Sequence, residues 1–553
     1  MNLKTFMLDM LTTTVLLAAW LSASGFVNAK DLDVRASEKI AEILPPIEIF
    51  GSKFFNTQNG EQFFIKGIAY QPSMSSMELN TDIDAEIRYI DPLASPEICL
   101  RDIPHLVKLG VNTIRVYSID PTQSHDVCME ALAENGIYTL IDLSEPDVSI
   151  SRDQPHWNVD LLQRYKKVVD SMHSYSNVLG FFAGNEVTND ITNTDASPFV
   201  KAAIRDVKDY ITEKSYRTIP IGYSTNDDLE TRENLANYFV CEGEGIADFY
   251  GINMYEWCGY SSYGTSGYRE RTAEFKNYPV PVFFSEFGCN AVRPRPFTEV
   301  EALYGPQMSG TWSGGLAYMY FEEENGYGVV KITNNNQVKE LEDFKHLVSQ
   351  FSRVNPKGVT KKDYMAVKTR SDKSKQCPSI TSTWKASWAI PKTPDVTKCG
   401  CLDEILPCLV RRPKSPARYK ELFDYVCGQV DCSDINSNGT SGEYGAFSDC
   451  STSQKLSLEI SKLYLRSGNS GTECPLSDID VYYNKRSQEK SKGKCAQIGK
   501  IVEISSHSKG TDDDLPKHRG RASDRHSSRA TMLVSPRLIL ITALIIVNSF
   551  IYS

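Results

Sequence analysis

The stretch VLGFFAGNE, residues 178–186, is a run of apolar residues that ends in Asn185 and Glu186. A second stretch, VPVFFSEFG at residues 280–288, places Glu286 just after a run of the same kind. Short apolar runs bounded by polar residues are typical of strands buried in a parallel sheet. We therefore predict two buried strands that each end in a glutamate, the two glutamates being 100 residues apart in the chain.

Six further apolar runs lie between residues 62 and 321, and amphipathic helical stretches separate them. This alternation predicts β/α units around a parallel sheet. The eight predicted strands are residues 63–70, 113–118, 138–143, 178–182, 219–223, 249–255, 280–284 and 315–320. Eight such strands predict an α/β fold of the (β/α)8 TIM-barrel type, with a doubly wound open sheet as the alternative. In a barrel, Glu186 and Glu286 would end the fourth and seventh strands, on the face that carries active sites.

The composition argues against several classes of function. The chain has 553 residues, of which 41% are hydrophobic, so it can bury more than one core. Its formal net charge of -10 argues against nucleic acid as a partner. The sequence has no phosphate-binding P-loop, HExxH zinc motif or dinucleotide glycine fingerprint, so we predict a site without a cofactor or a metal.

Both ends of the chain have the composition of processing signals. Lys4, an apolar stretch at residues 16–21 and small residues up to Ala29 predict a signal peptide at residues 1–29 rather than a buried helix. An apolar tail at residues 538–552 follows a polar spacer, and no basic segment comes after it. We predict a disordered polar stalk at 496–530 and a GPI-attachment signal at 531–553 that is removed, with a tail-anchored helix as the alternative.

Fourteen cysteines, an even number in a chain predicted to be secreted, predict disulfide bonds. Eight of them lie in a small disulfide-rich domain predicted at 399–495, after a barrel domain at 30–360 and a linker at 361–398. Zinc at Cys399 and Cys401 is the alternative, but no histidine lies among residues 399–495. A sequon at Asn438 predicts N-glycosylation in the same domain.

Two carboxyl groups at one barrel mouth suit the cleavage of a glycosidic bond with retention of configuration. One carboxylic acid protonates the leaving oxygen while one carboxylate attacks the anomeric carbon. Asn185 can bond the 2-hydroxyl of the reacting sugar, so Glu186 suits the acid/base and Glu286 suits the nucleophile. This hypothesis requires the two carboxyl groups to lie about 5 to 5.5 Å apart.

Further motifs carry a family resemblance. They are KGIAYQP at residues 66–72, RVYSID at 115–120, YGINMYEWC at 250–258, WSGG at 312–315 and EEE at 322–324. With the two glutamate motifs, they resemble the fungal cell-wall β-1,3-glucanosyltransferases of glycoside hydrolase family 72, over residues 45–500. The resemblance implies a GPI-anchored monomer that cleaves a β-1,3-glucan donor and joins the glycosyl part to the non-reducing end of an acceptor chain.

The resemblance also implies roles for single residues, with Glu186 as proton donor and Glu286 as nucleophile. The expected glucan contacts are Tyr117, Asn185, Asp227, Arg232 and Tyr320, with Gln71, Asp142, Tyr255 and Tyr318 as further residues of the cleft. The expected disulfide pairs are Cys99–Cys128, Cys241–Cys377, Cys258–Cys289, Cys399–Cys450, Cys401–Cys495, Cys408–Cys474 and Cys427–Cys432. The Cys-rich domain resembles an X8-type carbohydrate-binding module. The secretory pathway would carry the protein to the outer face of the plasma membrane and the cell wall.

Two other functions stay open at this point. An endo-β-1,3-glucanase would use the same two glutamates, with water in place of the acceptor sugar in the second step. A non-catalytic wall protein would bind glucan through the Cys-rich module on an inert barrel. The preference for transfer rests on the family resemblance.

Overall fold

The computed structural model of the chain describes residues 44–73, 89–146, 148–367, 376–411, 416–468, 473–476, 480–488 and 493–507. The predicted signal peptide at 1–29, the GPI-attachment signal at 531–553 and most of the predicted stalk lie outside these residues. Across the part of the chain that is described, we find no helix with the length and apolar character needed to span a membrane.

The predicted barrel is confirmed. A three-stranded antiparallel sheet comes first, formed by β1 (Ile47–Phe50), β2 (Lys53–Asn56) and β3 (Gln62–Phe63). The next eight strands are β4 (Ile65–Ala69), β5 (Thr113–Val116), β6 (Tyr138–Asp142), β7 (Val178–Asn185), β8 (Ile221–Asn226), β9 (Tyr250–Cys258), β10 (Val282–Cys289) and β11 (Trp312–Ala317). They are parallel and close in the order β10-β11-β4-β5-β6-β7-β8-β9, so the open-sheet alternative is wrong.

Helices surround this barrel, and a short hairpin of β12 (Val330–Ile332) and β13 (Val338–Glu340) follows it. The helices are α1 (Pro96–Leu109), α2 (Asp126–Glu134), α3 (Val159–Met172), α4 (Ser197–Glu213), α5 (Arg232–Val240), α6 (Tyr268–Phe275), α7 (Glu299–Leu303), α8 (Glu342–Arg353) and α9 (Lys361–Val367). In α1, Pro96 begins the helix and Gly110 ends it with a φ of 72°, a left-handed conformation that glycine adopts at little cost.

The interior of the barrel is apolar at one end and polar at the other. Phe54 from β2 reaches the buried rings of Phe249 and Phe283, at centroid distances of 6.4 and 6.1 Å. The apolar plug also includes Leu140 and Phe182. Because this plug fills the end where the strands begin, the open mouth lies where the strands end.

The C-terminal module packs around two small cores of its own. Its elements are α10 (Val396–Ile405), β14 (Cys408–Val410), α11 (Pro416–Cys427), β15 (Ser437–Asn438), β16 (Glu443–Tyr444), α12 (Thr452–Arg466), β17 (Val481–Tyr483) and α13 (Lys494–His507). The disorder predicted from residue 496 is wrong for its first part, because α13 covers it. Ile498 and Val502 pack into the module core, and their burial stabilises this helix.

The linker predicted at 361–398 is largely ordered where it is described. Trp384 has no exposed surface and belongs to the core of the barrel domain. The backbone oxygen of Ser387 accepts a hydrogen bond of 2.6 Å from Tyr238 in α5, and Cys377 is bonded to Cys241. Burial of one large aromatic ring and a disulfide therefore attach this segment to the barrel, although its composition is polar.

All seven disulfide pairs that the resemblance implies are present. Three of them belong to the barrel domain and its connector, and four belong to the module. No free cysteine occurs among the residues that the structure describes. Cys399, Cys450 and Asp449 lie close enough to hold an ion, but the two sulfurs are bonded to each other, so neither is a thiolate that could bind zinc.

Candidate active site

Glu186 and Glu286 both lie at the open mouth of the barrel. Glu186 directly follows β7 and Glu286 lies in β10, so β8 and β9 separate them around the wall. Asn253 of β9 links the two, because its register partner is Glu286 and its Nδ2 donates a 2.8 Å hydrogen bond to Glu186 Oε1. The charge of Glu186 also raises the pKa of Glu286, which places the two carboxyl groups within electrostatic reach.

Glu286 is 8% exposed and accepts hydrogen bonds on both carboxylate oxygens. Tyr117 donates to Oε1 at 2.7 Å, Tyr255 donates to Oε2 at 2.9 Å, and Arg115 Nη1 lies 3.5 Å from Oε1. Burial raises the pKa of Glu286 to about 7, while Arg115 and the two tyrosine hydroxyls oppose that rise. These donors orient the carboxylate and favour its charged form.

Glu186 is more open than Glu286, with 30% of its side chain exposed. Its φ is 48°, a left-handed conformation that is uncommon for a residue other than glycine. Hydrogen bonds hold this backbone, since its N–H donates to Ser224 O at 2.9 Å and its carbonyl accepts from Arg152 Nε at 2.8 Å. Strain retained at an acidic residue in a cleft is typical of functional sites.

A buried polar layer supports both glutamates from below. Arg115 has no exposed surface, and its Nε and Nη2 donate to the two oxygens of Asp142 at 3.1 and 2.9 Å. The same guanidinium donates to Asn185 Oδ1 at 3.1 Å and to Ser224 Oγ at 3.3 Å. Arg115 therefore connects the nucleophile candidate to the residue beside Glu186.

Five of the residues predicted for the cleft lie in or against this network. Tyr117, Tyr255 and Asn185 contact it directly, as described above. Asp142 is buried behind Arg115, and Gln71 accepts from the backbone N–H groups of Tyr117 and Ser118. Asp142 therefore positions the side chain of Arg115, and Gln71 positions the backbone at Tyr117, since the polar groups of both residues are occupied.

The other predicted contacts lie around the rim. Asp227 follows β8 and accepts a 3.2 Å hydrogen bond from Arg232, the first residue of α5. The half-buried Tyr318 places its ring 5.4 Å from that of Tyr327. The prediction for Tyr320 is corrected, because this residue has no exposed surface and packs between the rings of Tyr70 and Phe321, where no sugar reaches it.

Sequence reasoning did not single out Arg115, Asn253, Arg152 or Tyr327 as site residues. Arg115 and Asn253 are polar residues inside apolar strands, TIRV and the first part of YGINMYEWC. A charged or amide side chain in such a strand must find hydrogen-bond partners within the barrel, so its presence in the sequence could have indicated a site residue. Arg152 and Tyr327 lie outside the strands, and their positions depend on the tertiary fold.

We expect Tyr255→Phe to move the acidic limb of the pH profile of glucan cleavage to higher pH by about one unit. Glu286 attacks only in its charged form, so the rate falls as pH drops through its pKa. Loss of the Tyr255 hydroxyl removes a donor to the charged form, and the pKa of Glu286 rises further. The measurement is kcat/KM against pH, with the exposed Tyr260→Phe as control. An unchanged acidic limb would contradict this assignment.

We expect Asp142→Asn to destabilise the barrel by about 3 kcal/mol, because it removes the nearer of the two carboxylates that face the buried Arg115 and leaves only Glu286, at 3.5 Å. The free energy of unfolding in urea measures the change. Asp209→Asn, on the exposed side of α4, is the matched control and should change it by less than about 0.5 kcal/mol. If the two variants had equal free energies of unfolding, the ion pair between Asp142 and Arg115 would not stabilise the barrel.

Comparison with known proteins relates both the barrel and the Cys-rich module to described families. A family model described as Glucanosyltransferase matches residues 36–355, and a model described as the X8 domain matches residues 406–481. The 1,3-β-glucanosyltransferase GAS2 of Saccharomyces cerevisiae is 62% identical over 450 residues, which are 81% of each chain. The pH-responsive protein 1 of Candida albicans is 46% identical over 469 residues, 84% of each chain.

Solved structures of Gas2p from Saccharomyces cerevisiae have the same fold. An apo structure, of a variant with glutamine in place of one glutamate, has a TM-score of 0.81 at 58% identity and covers 85% of this chain and 99% of its own. A structure in complex with laminaritetraose and laminaripentaose has a TM-score of 0.77 at 58% identity, and it covers 84% of this chain and 99% of its own.

Proposed function

The chain belongs to the glucanosyltransferase family and is a 1,3-β-glucanosyltransferase, and we propose that Glu286 is its nucleophile and Glu186 its general acid/base. The observation that carries this proposal is the contrast between the two carboxyl groups. Glu286 is buried and accepts from two tyrosines beside Arg115. Glu186 is partly open and accepts from the amide of Asn253, and the partly exposed Arg152 lies 3.9 Å from its other oxygen. An anchored carboxylate suits attack, and an accessible one suits proton exchange with leaving and entering sugars.

In the first step, Glu286 attacks the anomeric carbon of a β-1,3-glucan donor, and the glycosidic bond breaks. Glu186 gives its proton to the leaving oxygen, and the reducing-end part of the donor departs. Asn185 bonds the 2-hydroxyl of the reacting sugar, and this bond strengthens as positive charge develops at the anomeric carbon. The product of this step is a covalent glycosyl ester on Glu286.

In the second step, the 3-hydroxyl at the non-reducing end of another glucan chain attacks the glycosyl ester. Glu186, now ionised, takes the proton of that hydroxyl, and Glu286 leaves as a carboxylate. Two inversions restore the β configuration, and the acceptor becomes longer by the transferred part. We assign Asp227 and Arg232, on the rim beyond Tyr255, to contacts with the acceptor chain.

The lengths of the products test this proposal. The soluble protein is incubated with a reduced laminari-oligosaccharide, and the products are separated by size. Chains longer than the donor are the expected result, because transfer joins two glucan parts. Shorter chains alone would mean hydrolysis by the same two glutamates, and binding without any new product would mean an inert barrel.

We further propose that the mature protein is a monomer held at the outer face of the plasma membrane and the cell wall by a GPI lipid. The signals at 1–29 and 531–553 support this location. Both carboxyl groups and their hydrogen-bond donors come from one barrel, so catalysis needs no second subunit. The X8-type module would bind glucan, and Asn438, exposed beside a tight turn, would carry an N-glycan.

A further inference from the structure

A second cluster of charged side chains lies on the rim of the barrel, outside the catalytic pair. It is formed by Asp227 after β8, Glu256 in β9, Arg232 at the start of α5 and Arg271 in α6. Glu256 directly follows Tyr255, which donates to the nucleophile candidate Glu286. The cluster therefore lies one residue along β9 from a donor to Glu286, on the side of the rim that we assign to the acceptor.

The two arginines both approach the same oxygen of Asp227. Arg232 Nη1 lies 3.2 Å from Asp227 Oδ1, and Arg271 Nη1 lies 4.0 Å from it. Asp227 Oδ2 is buried and finds no conventional hydrogen-bond donor among the residues that the structure describes. Arg232 Nη1 also lies 3.6 Å from Glu256 Oε1, so one guanidinium nitrogen brings the carboxyl groups of Glu256 and Asp227 together, and a hydrogen bond to Asp227 contributes to the raised pKa of Glu256.

Two ionised carboxylates cannot share a hydrogen bond, because neither has a proton to donate. One member of the pair must therefore be protonated for this contact to be stable. Arg232 Nη1 lies closer to Asp227 than to Glu256, at 3.2 against 3.6 Å, and Arg271 Nη1 lies 4.0 Å from Asp227. The proton therefore belongs on Glu256, which donates it to Asp227.

The surroundings of Glu256 support this assignment. Partial burial raises the pKa of Glu256 to about 7. The charge of Asp227 and the hydrogen bond to Asp227 raise this pKa further, whereas Arg271 and Arg232 lower it. From α6, Tyr268 faces the cluster, and Glu274 engages Arg271 Nη2 at 2.8 Å. Gly267, with a φ of 82°, lets the backbone approach, since a Cβ there would lie 2.0 Å from Glu256 Oε2.

We propose that protonated Glu256 is a positioning residue for the acceptor subsite, holding Asp227 and Arg232 in the arrangement that receives the second glucan chain. The inference rests on the proposed function, because it takes Asp227 and Arg232 as acceptor contacts. When Glu256 ionises, it repels Asp227 and competes for Arg232. The acceptor then binds less well, and water reaches the glycosyl ester more often.

The test measures the ratio of transfer to hydrolysis on both sides of neutral pH, with a reduced laminari-oligosaccharide as donor and acceptor. In the unaltered protein, this ratio should fall above neutral pH. Glu256→Gln keeps a donor to Asp227 but cannot ionise, so its ratio should stay constant across the same range. Glu256→Ala has no donor, and its ratio should be lower by about tenfold at every pH.

Glu270→Gln, an exposed change in helix α6 next to Arg271, is the control and should reproduce the profile of the unaltered protein. A Glu256→Gln profile that falls in parallel with that of the unaltered protein would overturn the inference, and so would an unchanged ratio in Glu256→Ala. An unaltered protein that makes no longer chains at any pH would instead overturn the proposed transfer itself. The two failures are therefore distinguishable.

Discussion

Glu286→Gln is expected to lower the rate of glucan cleavage by about 10⁴-fold or more, because an amide cannot form the glycosyl ester. The side chain keeps its size, and its amide oxygen can still accept from Tyr117 and Arg115, whereas its NH2 would donate to the Tyr255 hydroxyl. The measurement is the initial rate of product formation from a laminari-oligosaccharide. Donor binding should survive, because the rest of the cleft is unchanged.

Glu301→Gln, an exposed change in α7, is the matched control and should keep full activity. A second variant, Glu286→Ala, leaves space below the anomeric carbon for a small anion. Added azide should then restore cleavage of a donor with a good leaving group and yield an α-glycosyl azide, with one inversion in place of two. A β-glycosyl azide from this variant would reverse the two roles.

Glu186→Gln is expected to lower cleavage of glucan by about 10³-fold, because the leaving oxygen is no longer protonated. A glycosyl fluoride needs no such proton, so its first step should continue. The second step still needs a base, and the covalent intermediate should therefore accumulate. Mass spectrometry of the digested protein would find the sugar on the peptide that contains Glu286.

The difference between natural and activated donors is the decisive part of this second experiment. If cleavage of the glycosyl fluoride falls as far as cleavage of glucan, then Glu186 does more than transfer protons. Asn253→Ala is a useful companion, since it removes the 2.8 Å donor to Glu186 without touching either carboxyl group. Because it acts through the proton donor, it should lower cleavage of glucan more than cleavage of the glycosyl fluoride, as Glu186→Gln does, but by a smaller factor.

The predicted fold agrees with the structure because its signals are local. Buried parallel strands are mostly apolar, and each of the eight predicted runs overlaps an observed strand. The last predicted run is residues 315–320, whereas β11 is Trp312–Ala317, so the observed strand begins three residues earlier. A Cβ on Gly314 would lie 2.0 Å from Ile65 O, so the glycine permits close strand packing.

Two predictions are wrong, the disorder from residue 496 and the cleft position of Tyr320, and both depend on distant contacts, as does the order within the predicted linker. The polar connector before the module becomes ordered because Trp384 enters the barrel core, and α13 forms because Ile498 and Val502 meet the module. The family resemblance implies that Tyr320 lies in the cleft, but its ring packs against the rings of Tyr70 and Phe321. The composition of a segment does not reveal which residues an aromatic side chain will pack against in the folded protein.

The sequence by itself determined the barrel, the Cys-rich module and the two strand ends that carry glutamate, because apolar periodicity and cysteine content act along the chain. Only the tertiary structure decided the environments of those glutamates. Arg115 and Tyr117 at the end of β5 meet Tyr255 of β9 around Glu286, while Glu186 stays more open. Burial and hydrogen bonding set the charge of a carboxyl group, and both arise only when the barrel closes.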